Sequence, residues 1–276
     1  MSLYIEQQDT YIEQQGNPDG QPLVLLHGWG MLSDIWHDWL PALTSDYRLL
    51  LVDLPGLGRS RFCTEGGISD DGTDGYSLEA VAQQIIDATG PLLDRPAVWL
   101  GWSLGGLVAA NIVANPELPA AGLITIATNP CFVERADWPE AMSAATFALF
   151  QQSLQQTSLK TLNRFAALQG QGDPQARALL RTLKPVVAAS AAQSSHLAQS
   201  LALLGDDQRS LFADLTLPRL ALFGENDALV PVAVAKQPLL SPYARIIDEA
   251  GHVPFITAST ALTTHIKQWL EGLPHG

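Results

Sequence analysis

Short apolar runs recur along the chain near residues 22 to 26, 48 to 52, 97 to 100, 122 to 126, 219 to 223 and 244 to 247, with helix-compatible stretches between them. Each run reads as a buried strand, and strands alternating with helices predict an α/β fold, a mainly parallel central sheet flanked by helices. Ahead of them, Tyr4-Ile5-Glu6-Gln7-Gln8 recurs as Tyr11-Ile12-Glu13-Gln14-Gln15. Five residues cannot build a solenoid repeat, so the pair predicts two short antiparallel strands joined by a turn, with the register left open.

Between the runs ending near Ala127 and starting near Arg219 lie about ninety residues, far more than a crossover needs. That excess is rich in Ala, Leu and Gln and poor in β-branched residues, which predicts a helical insertion. We expect a core of residues 1–128 and 214–276 and a lid of residues 129–213. Asp173-Pro174 predicts an N-cap with proline at the first helical position, and Lys184-Pro185 predicts the end of that helix. Phe147, Phe150, Phe165, Leu168 and Leu183 could line an acyl channel under such a lid or pack only on one another.

The run Ala97-Val98-Trp99-Leu100 leads into Gly101-Trp102-Ser103-Leu104-Gly105, and a helix-like run leads out. A strand that turns sharply into a helix, with glycines two positions either side of a serine, is the setting of a nucleophile elbow. The alternative is a glycine-rich turn whose serine caps a helix; the strand before and the helix after favour the nucleophile. A nucleophilic serine needs a base and an orienting carboxylate. Asp227 follows the run 219 to 223 and His252 follows the run 244 to 247, so both would sit at the carboxyl edge of the sheet, in the chain order Ser103, Asp227, His252. Glu225 competes with Asp227 for the orienting role. Of six histidines, His37, His196, His265 and His275 sit in helix-like or terminal contexts and read as surface residues. His27 opens His27-Gly28-Trp29-Gly30 after a strand, which suits a turn completing an oxyanion hole. The hole is assigned to the backbone N–H groups of Trp29 and Leu104, with His27 holding the loop.

Fifteen basic against 28 acidic residues give a net charge of −13, which disfavours nucleic-acid binding. No run approaches the roughly 18 apolar residues of a membrane span, and the N-terminus lacks a signal-peptide pattern. Cys63 and Cys131 stand far apart, as free thiols of a reducing compartment would, so a cytoplasmic location is expected. No metal-ligand spacing or phosphate loop is present, and no metal or cofactor is expected. Against the acidic whole, residues 158–184 carry Lys160, Arg164, Arg177, Arg181 and Lys184 and the single acid Asp173, a local charge of +4. Arg177, Arg181 and Lys184 share one helical face, as do Lys160 and Arg164. Such a face is either simply solvated or a docking surface.

Leu25-Leu26-His27-Gly28-Trp29-Gly30, the stretch from Leu51-Val52-Asp53 to Gly58-Arg59-Ser60, Gly101-Trp102-Ser103-Leu104-Gly105-Gly106, Asn129-Pro130-Cys131-Phe132, Arg164-Phe165-Ala166-Ala167-Leu168-Gln169 and Gly251-His252-Val253-Pro254-Phe255 together resemble the pimeloyl-acyl-carrier-protein methyl ester carboxylesterases of biotin synthesis. The resemblance covers nearly the whole chain and implies an α/β-hydrolase fold and hydrolysis of the methyl ester at the far end of a pimeloyl chain. It also implies an acyl-carrier protein as partner, with Arg164 and Phe165 of the resembling segment on the substrate side; carrier proteins are acidic, which favours docking on the basic face and adds Arg177 and Arg181 to the substrate-binding candidates. The chain itself is expected to act as a monomer. Residues 62–77, acidic through Glu65, Asp70, Asp71 and Asp74, depart from the family in length and would lie near the site mouth. Other readings are a general short-chain esterase or another hydrolase of this fold, and a hydrolase-fold receptor without turnover.

Overall fold

In the computed structural model, which describes residues 3–63 and 75–273, an eight-stranded sheet has the order β1-β2-β4-β3-β5-β6-β7-β8. The strands are β1 (Leu3–Gln7), β2 (Thr10–Gly16), β3 (Gln21–Leu26), β4 (Tyr47–Val52), β5 (Ala97–Trp102), β6 (Ala120–Ile126), β7 (Arg219–Gly224) and β8 (Ala244–Ile247). The α-helices are α1 (Leu78–Thr89), α2 (Leu104–Val113), α3 (Ala144–Gln156), α4 (Ser158–Gln169), α5 (Ala176–Gln193), α6 (Leu197–Ala202), α7 (Arg209–Asp214), α8 (Pro254–Thr257) and α9 (Ser259–Glu271). Glu65, Asp70, Asp71 and Asp74 of the acidic stretch lie outside the described residues, as does His275.

The sheet is parallel from β4 through β8, and β1 and β2 add to it antiparallel. The duplicated pentapeptide forms the β1–β2 hairpin with Ile5 opposite Ile12, and the antiparallel register sets Tyr4 opposite Glu13 and Glu6 opposite Tyr11. Gln8 and Asp9 both have positive φ, 48° and 57°, as a two-residue turn of type I′ demands. The central strands are fully apolar where they are buried on both sides: Leu23 to Leu26 and Leu49 to Val52 have no exposed surface.

Side-chain alternation shows that both faces are covered. A Cβ on Gly101 of β5 would strike Gly105 and Gly106 at the start of α2, so α2 lies on that face. Gly101 is in register with Thr125 of β6, and Gly122, an odd number of residues before Thr125, faces the other way. A Cβ on Gly122 would meet the Trp269 ring of α9, so α9 covers the opposite face. Trp39 joins α9 there, its indole Nε1 donating to Thr263 Oγ1 at 2.8 Å.

After β6 the chain leaves the carboxyl edge of the sheet and forms α3 to α7 before returning as β7. Phe147, Phe150 and Leu154 of α3 and Leu162, Phe165 and Ala166 of α4 are buried, and Phe150 meets Phe165 edge to face at 5.9 Å. Two sequence expectations fail here. Pro185 does not close its helix, because α5 runs on through it to Gln193. Proline in a helix interior costs about 3 kcal/mol, yet Leu179, Leu183 and Val187 are fully buried along one face, each contributing roughly 1.5–3 kcal/mol. Their packing on both sides of Pro185 outweighs the lost hydrogen bond. Nor does regular helix begin beside Pro174. It starts at Ala176, after a turn in which Asp173 Oδ1 accepts from Gln175 N–H at 2.7 Å. The other Asp173 oxygen is engaged outside the insertion.

Candidate active site

Ser103 stands between β5 and α2 with φ 55° and ψ −118°, a conformation that costs a non-glycine residue of order 1–3 kcal/mol. The neighbouring groups hold it there. Its N–H donates to Ile126 O at 2.9 Å, and its carbonyl accepts from Gly106 N–H at 3.0 Å and Thr128 Oγ1 at 3.1 Å. Space enforces the glycines: a Cβ on Gly105 would strike the Leu26 carbonyl, and one on Gly106 would strike Thr128 Oγ1.

Asp227 lies just beyond β7 and His252 beyond β8. Asp227 Oδ1 accepts from the N–H groups of Leu229 and Val230 at 2.8 and 2.9 Å, which aims Oδ2 at His252 Nδ1, 2.8 Å away. A carboxylate can only accept, so Nδ1 carries the proton and Nε2 presents a lone pair. That Nε2 is buried and has no hydrogen-bond partner among the described residues. The His252 carbonyl accepts from Trp102 Nε1 at 2.8 Å, and the two rings lie 5.6 Å apart, which places His252 beside the residue preceding Ser103. Glu225 is turned elsewhere, its carboxylate accepting from Glu249 N–H at 2.9 Å. Ser103 and His252 are only 5 % and 1 % exposed.

The loop after β3 runs alongside the serine. A Cβ on Gly28 would come within 3.3 Å of Ser103 Cβ, so Trp29 follows directly beside Ser103. Neither Trp29 N–H nor Leu104 N–H donates to another group among the described residues, which leaves both available to an oxyanion. His27 is fully buried below them. Its Nε2 accepts from Leu54 N–H at 2.9 Å and its Nδ1 donates to Gly28 O at 2.9 Å, while burial pushes its pKa below the ordinary imidazole value. His196 is half-buried rather than a surface residue, stacked on Tyr76 at 5.0 Å.

The helical insertion covers this centre. Phe165 of α4 meets the Trp29 ring edge on at 4.8 Å, Leu162 packs at Gly30, and Trp29 Nε1 donates to Leu197 O of α6 at 2.9 Å. One turn beyond Phe165 on the same buried face is Gln169, 1 % exposed, whose amide nitrogen and oxygen both lack partners. Gln169 thus carries a polar group with unfilled capacity on the buried face of α4; the sequence placed it in the segment Arg164 to Gln169 but gave it no role of its own. Lys160, Arg164, Arg177, Arg181 and Lys184 are all exposed, and none pairs with a carboxylate among the described residues. Arg164 lies 5.3 Å over the Phe150 ring.

Sequence reasoning gave no role to Asp53, which organises the loops beneath the oxyanion side. The buried Asp53 takes Arg59 Nε at 2.7 Å and Ser33 N–H at 2.8 Å. Burial alone would push its carboxyl up, but the Arg59 hydrogen bonds prevail and hold it below the usual carboxylate range.

A strained serine between strand and helix, an Asp–His pair at the ends of the next strands and free N–H groups beside the serine make up the constellation of a serine hydrolase. The sequence profile described as "Alpha/beta hydrolase family" matches residues 23–263, and the chain belongs to that family. Among solved structures it is similar to an esterase from Exiguobacterium antarcticum (TM-score 0.81, 24 % identity, covering 99 % of this chain and 100 % of that one). It is also similar to a bromoperoxidase from Bacillus anthracis (TM-score 0.83, 19 % identity, 98 % and 100 % covered). At those identities the likeness concerns the fold. In sequence the chain is 40 % identical to the pimeloyl-[acyl-carrier protein] methyl ester esterase of Edwardsiella ictaluri, over 91 % of this chain and 93 % of that protein. It is 38 % identical to the protein of the same name from Aeromonas hydrophila, over 93 % and 95 %.

Proposed function

We propose that this chain is a serine carboxylesterase that hydrolyses the methyl ester of pimeloyl-acyl-carrier protein, releasing methanol, in biotin biosynthesis. Similarity to relatives of that name along almost the entire chain carries this assignment, and the site has the groups the reaction needs. His252 Nε2 takes the Ser103 proton as Oγ attacks the ester carbonyl, and Asp227 holds the imidazole in the tautomer that permits it. The N–H groups of Trp29 and Leu104 receive the oxyanion. The protonated imidazole then gives its proton to the departing methoxide, and water repeats the sequence to free the acid. No step calls on a metal or cofactor.

Residues 129–213 act as a lid in this proposal, with Phe165 and its neighbours lining the chain's path. The five cations of α4 and α5, unpaired with carboxylates among the described residues, suit an acidic carrier, since arginine pairs bidentately with carboxylate and with the phosphate of a phosphopantetheine arm. Arg164, Arg177 and Arg181 are therefore assigned to carrier recognition. The substrate also contains a thioester, so selectivity between two carbonyls follows from position: docking on the lid sets which one reaches Ser103. One chain supplies every group used, consistent with a working monomer, and the unpaired Cys63 and Cys131 suit the cytoplasm. Among the described residues no helix is long and apolar enough to cross a membrane. Mass spectrometry of the carrier after incubation tests the assignment: loss of one methyl group with the thioester intact supports it, and release of free carrier thiol refutes it.

A further inference from the structure

We infer that Asp173, on the helical insertion, is a positioning residue for the catalytic base. Asp173 lies in the turn between α4 and α5 and is 6 % exposed. Its Oδ2 accepts from Gly251 N–H at 2.9 Å and from Thr257 Oγ1 at 2.7 Å. Those two donors stand on either side of His252, one immediately before it and the other at the end of α8. A single carboxylate oxygen of the insertion thus brackets the segment that carries the imidazole.

The rest of the turn is shaped for the same contact. Gln175 Nε2 donates to Thr257 O at 2.5 Å. Gly172 has φ +87°, and a Cβ there would come within 2.5 Å of Asn226 O, in the loop that carries Asp227. Gly251 leaves room for the approach, since a Cβ on it would meet Asp173 Cβ at 3.0 Å. The turn therefore rests on the loops of both Asp227 and His252.

Three groups fix His252: Asp227 through Nδ1, Trp102 through the backbone carbonyl and Asp173 through the adjacent N–H. The first two belong to the sheet core and the third to the insertion. Asp173 belongs to the insertion, so any shift of the 170–175 turn would break the hold on Gly251. Geometry of the base and seating of the insertion are thereby coupled: the imidazole is fully fixed only when the insertion is down. Misplacing a catalytic group by about 1 Å can cost on the order of 10²-fold in rate.

This rests on Ser103 and His252 acting as nucleophile and base, and it does not depend on the carrier substrate. The test uses a small soluble nitrophenyl ester and the rate of phosphonylation by a fluorophosphonate, with active sites counted so that rates refer to folded enzyme. For Asp173→Ala we expect kcat and the phosphonylation rate to fall together by roughly 10- to 100-fold with KM within about threefold. Asp173→Asn has one oxygen for two backbone donors, Gln175 N–H and Gly251 N–H, and should fall between wild type and Asp173→Ala. Thr257→Val leaves the Gly251 contact intact and should lower kcat by no more than about threefold. Asp173→Ala with wild-type kcat per folded enzyme, even at a lower melting temperature, would overturn the inference. Ser103→Ala run alongside separates the two failures, because activity surviving in it overturns the serine mechanism itself.

Discussion

Replacing Asp227 by Asn removes one charge and leaves the shape of the site almost unchanged, and the structure dictates which way the new amide must turn. Asp227 Oδ1 accepts from two backbone N–H groups, Leu229 and Val230, at 2.8 and 2.9 Å. An amide NH₂ placed there would face two donors, so the Asn oxygen must take the Oδ1 position and its nitrogen must point at His252 Nδ1. An NH₂ group donates, which forces Nδ1 to accept and moves the ring proton to Nε2. A protonated neutral Nε2 cannot take a proton from Ser103. Loss of the carboxylate in a comparable triad lowers kcat by about 10⁴, equivalent to about 5.5 kcal/mol of transition-state stabilisation. Glu225→Gln is the control. Glu225 accepts from Glu249 N–H, in the loop after β8 that leads to His252, and among the described residues has no hydrogen bond to His252 itself; Gln keeps an acceptor there, so kcat should stay within about threefold of wild type. Both variants are measured by nitrophenyl ester turnover with thermal melting to confirm folding. If Asp227→Asn kept kcat within about tenfold, or Glu225→Gln proved the more harmful, the tautomer argument and the assignment of the orienting carboxylate would both be wrong.

Reversing Arg177 and Arg181 together should weaken kcat/KM for a carrier-bound ester several-fold while leaving a small soluble ester nearly unaffected, and the wild-type preference for the carrier should shrink with added salt, as rim charges act mainly on association; equal effects on both substrates would mean that the face is only solvated. His27 offers a pH test of stability. Its folded pKa lies below the ordinary value because it is buried, so the unfolded chain binds the proton more readily. The stability from neutral His27 is complete above about pH 6.5 and is lost as pH falls below that value, by up to about 1.4 kcal/mol per pH unit until the folded form also titrates. Denaturant unfolding of wild type and His27→Gln between pH 8 and pH 5 should diverge in that window, about 6.5 downward; parallel curves would show that His27 does not titrate on unfolding.

Much of the molecule was legible because its signals are local. The apolar runs marked β3 to β7, since strands buried on both faces are apolar along their buried length, whereas β8, an edge strand with Arg245 and Ile246 exposed, was marked by its short run alone. Gly101, Ser103 and Gly105 marked the elbow because the close approach of α2 to β3 and β5 excludes larger residues at the flanking positions. What stayed hidden depends on contacts between distant segments. Asp173 reads locally as a cap, and nothing in its neighbours announces Gly251 and Thr257 as partners. Pro185 reads as a helix end because propensity says so, whereas the buried face of Leu179, Leu183 and Val187 decides the outcome. Asp53 and Arg59 sit in a glycine-rich loop whose sequence does not disclose that their ion pair closes against Ser33.

The serine mechanism and the choice of carbonyl can be tested together by intact-protein mass spectrometry of the acyl-enzyme, acid-quenched before steady state with pimeloyl-carrier-protein methyl ester. Attack on the methyl ester expels methanol and leaves Ser103 bonded to the far end of a chain that is still attached to the carrier. The predicted species is therefore enzyme and whole carrier joined covalently, with the link mapped to the Ser103 peptide and absent in Ser103→Ala. A contradictory result would be enzyme bearing only a methyl pimeloyl group beside free carrier thiol, which would place the thioester at Ser103, or an adduct that persists in Ser103→Ala.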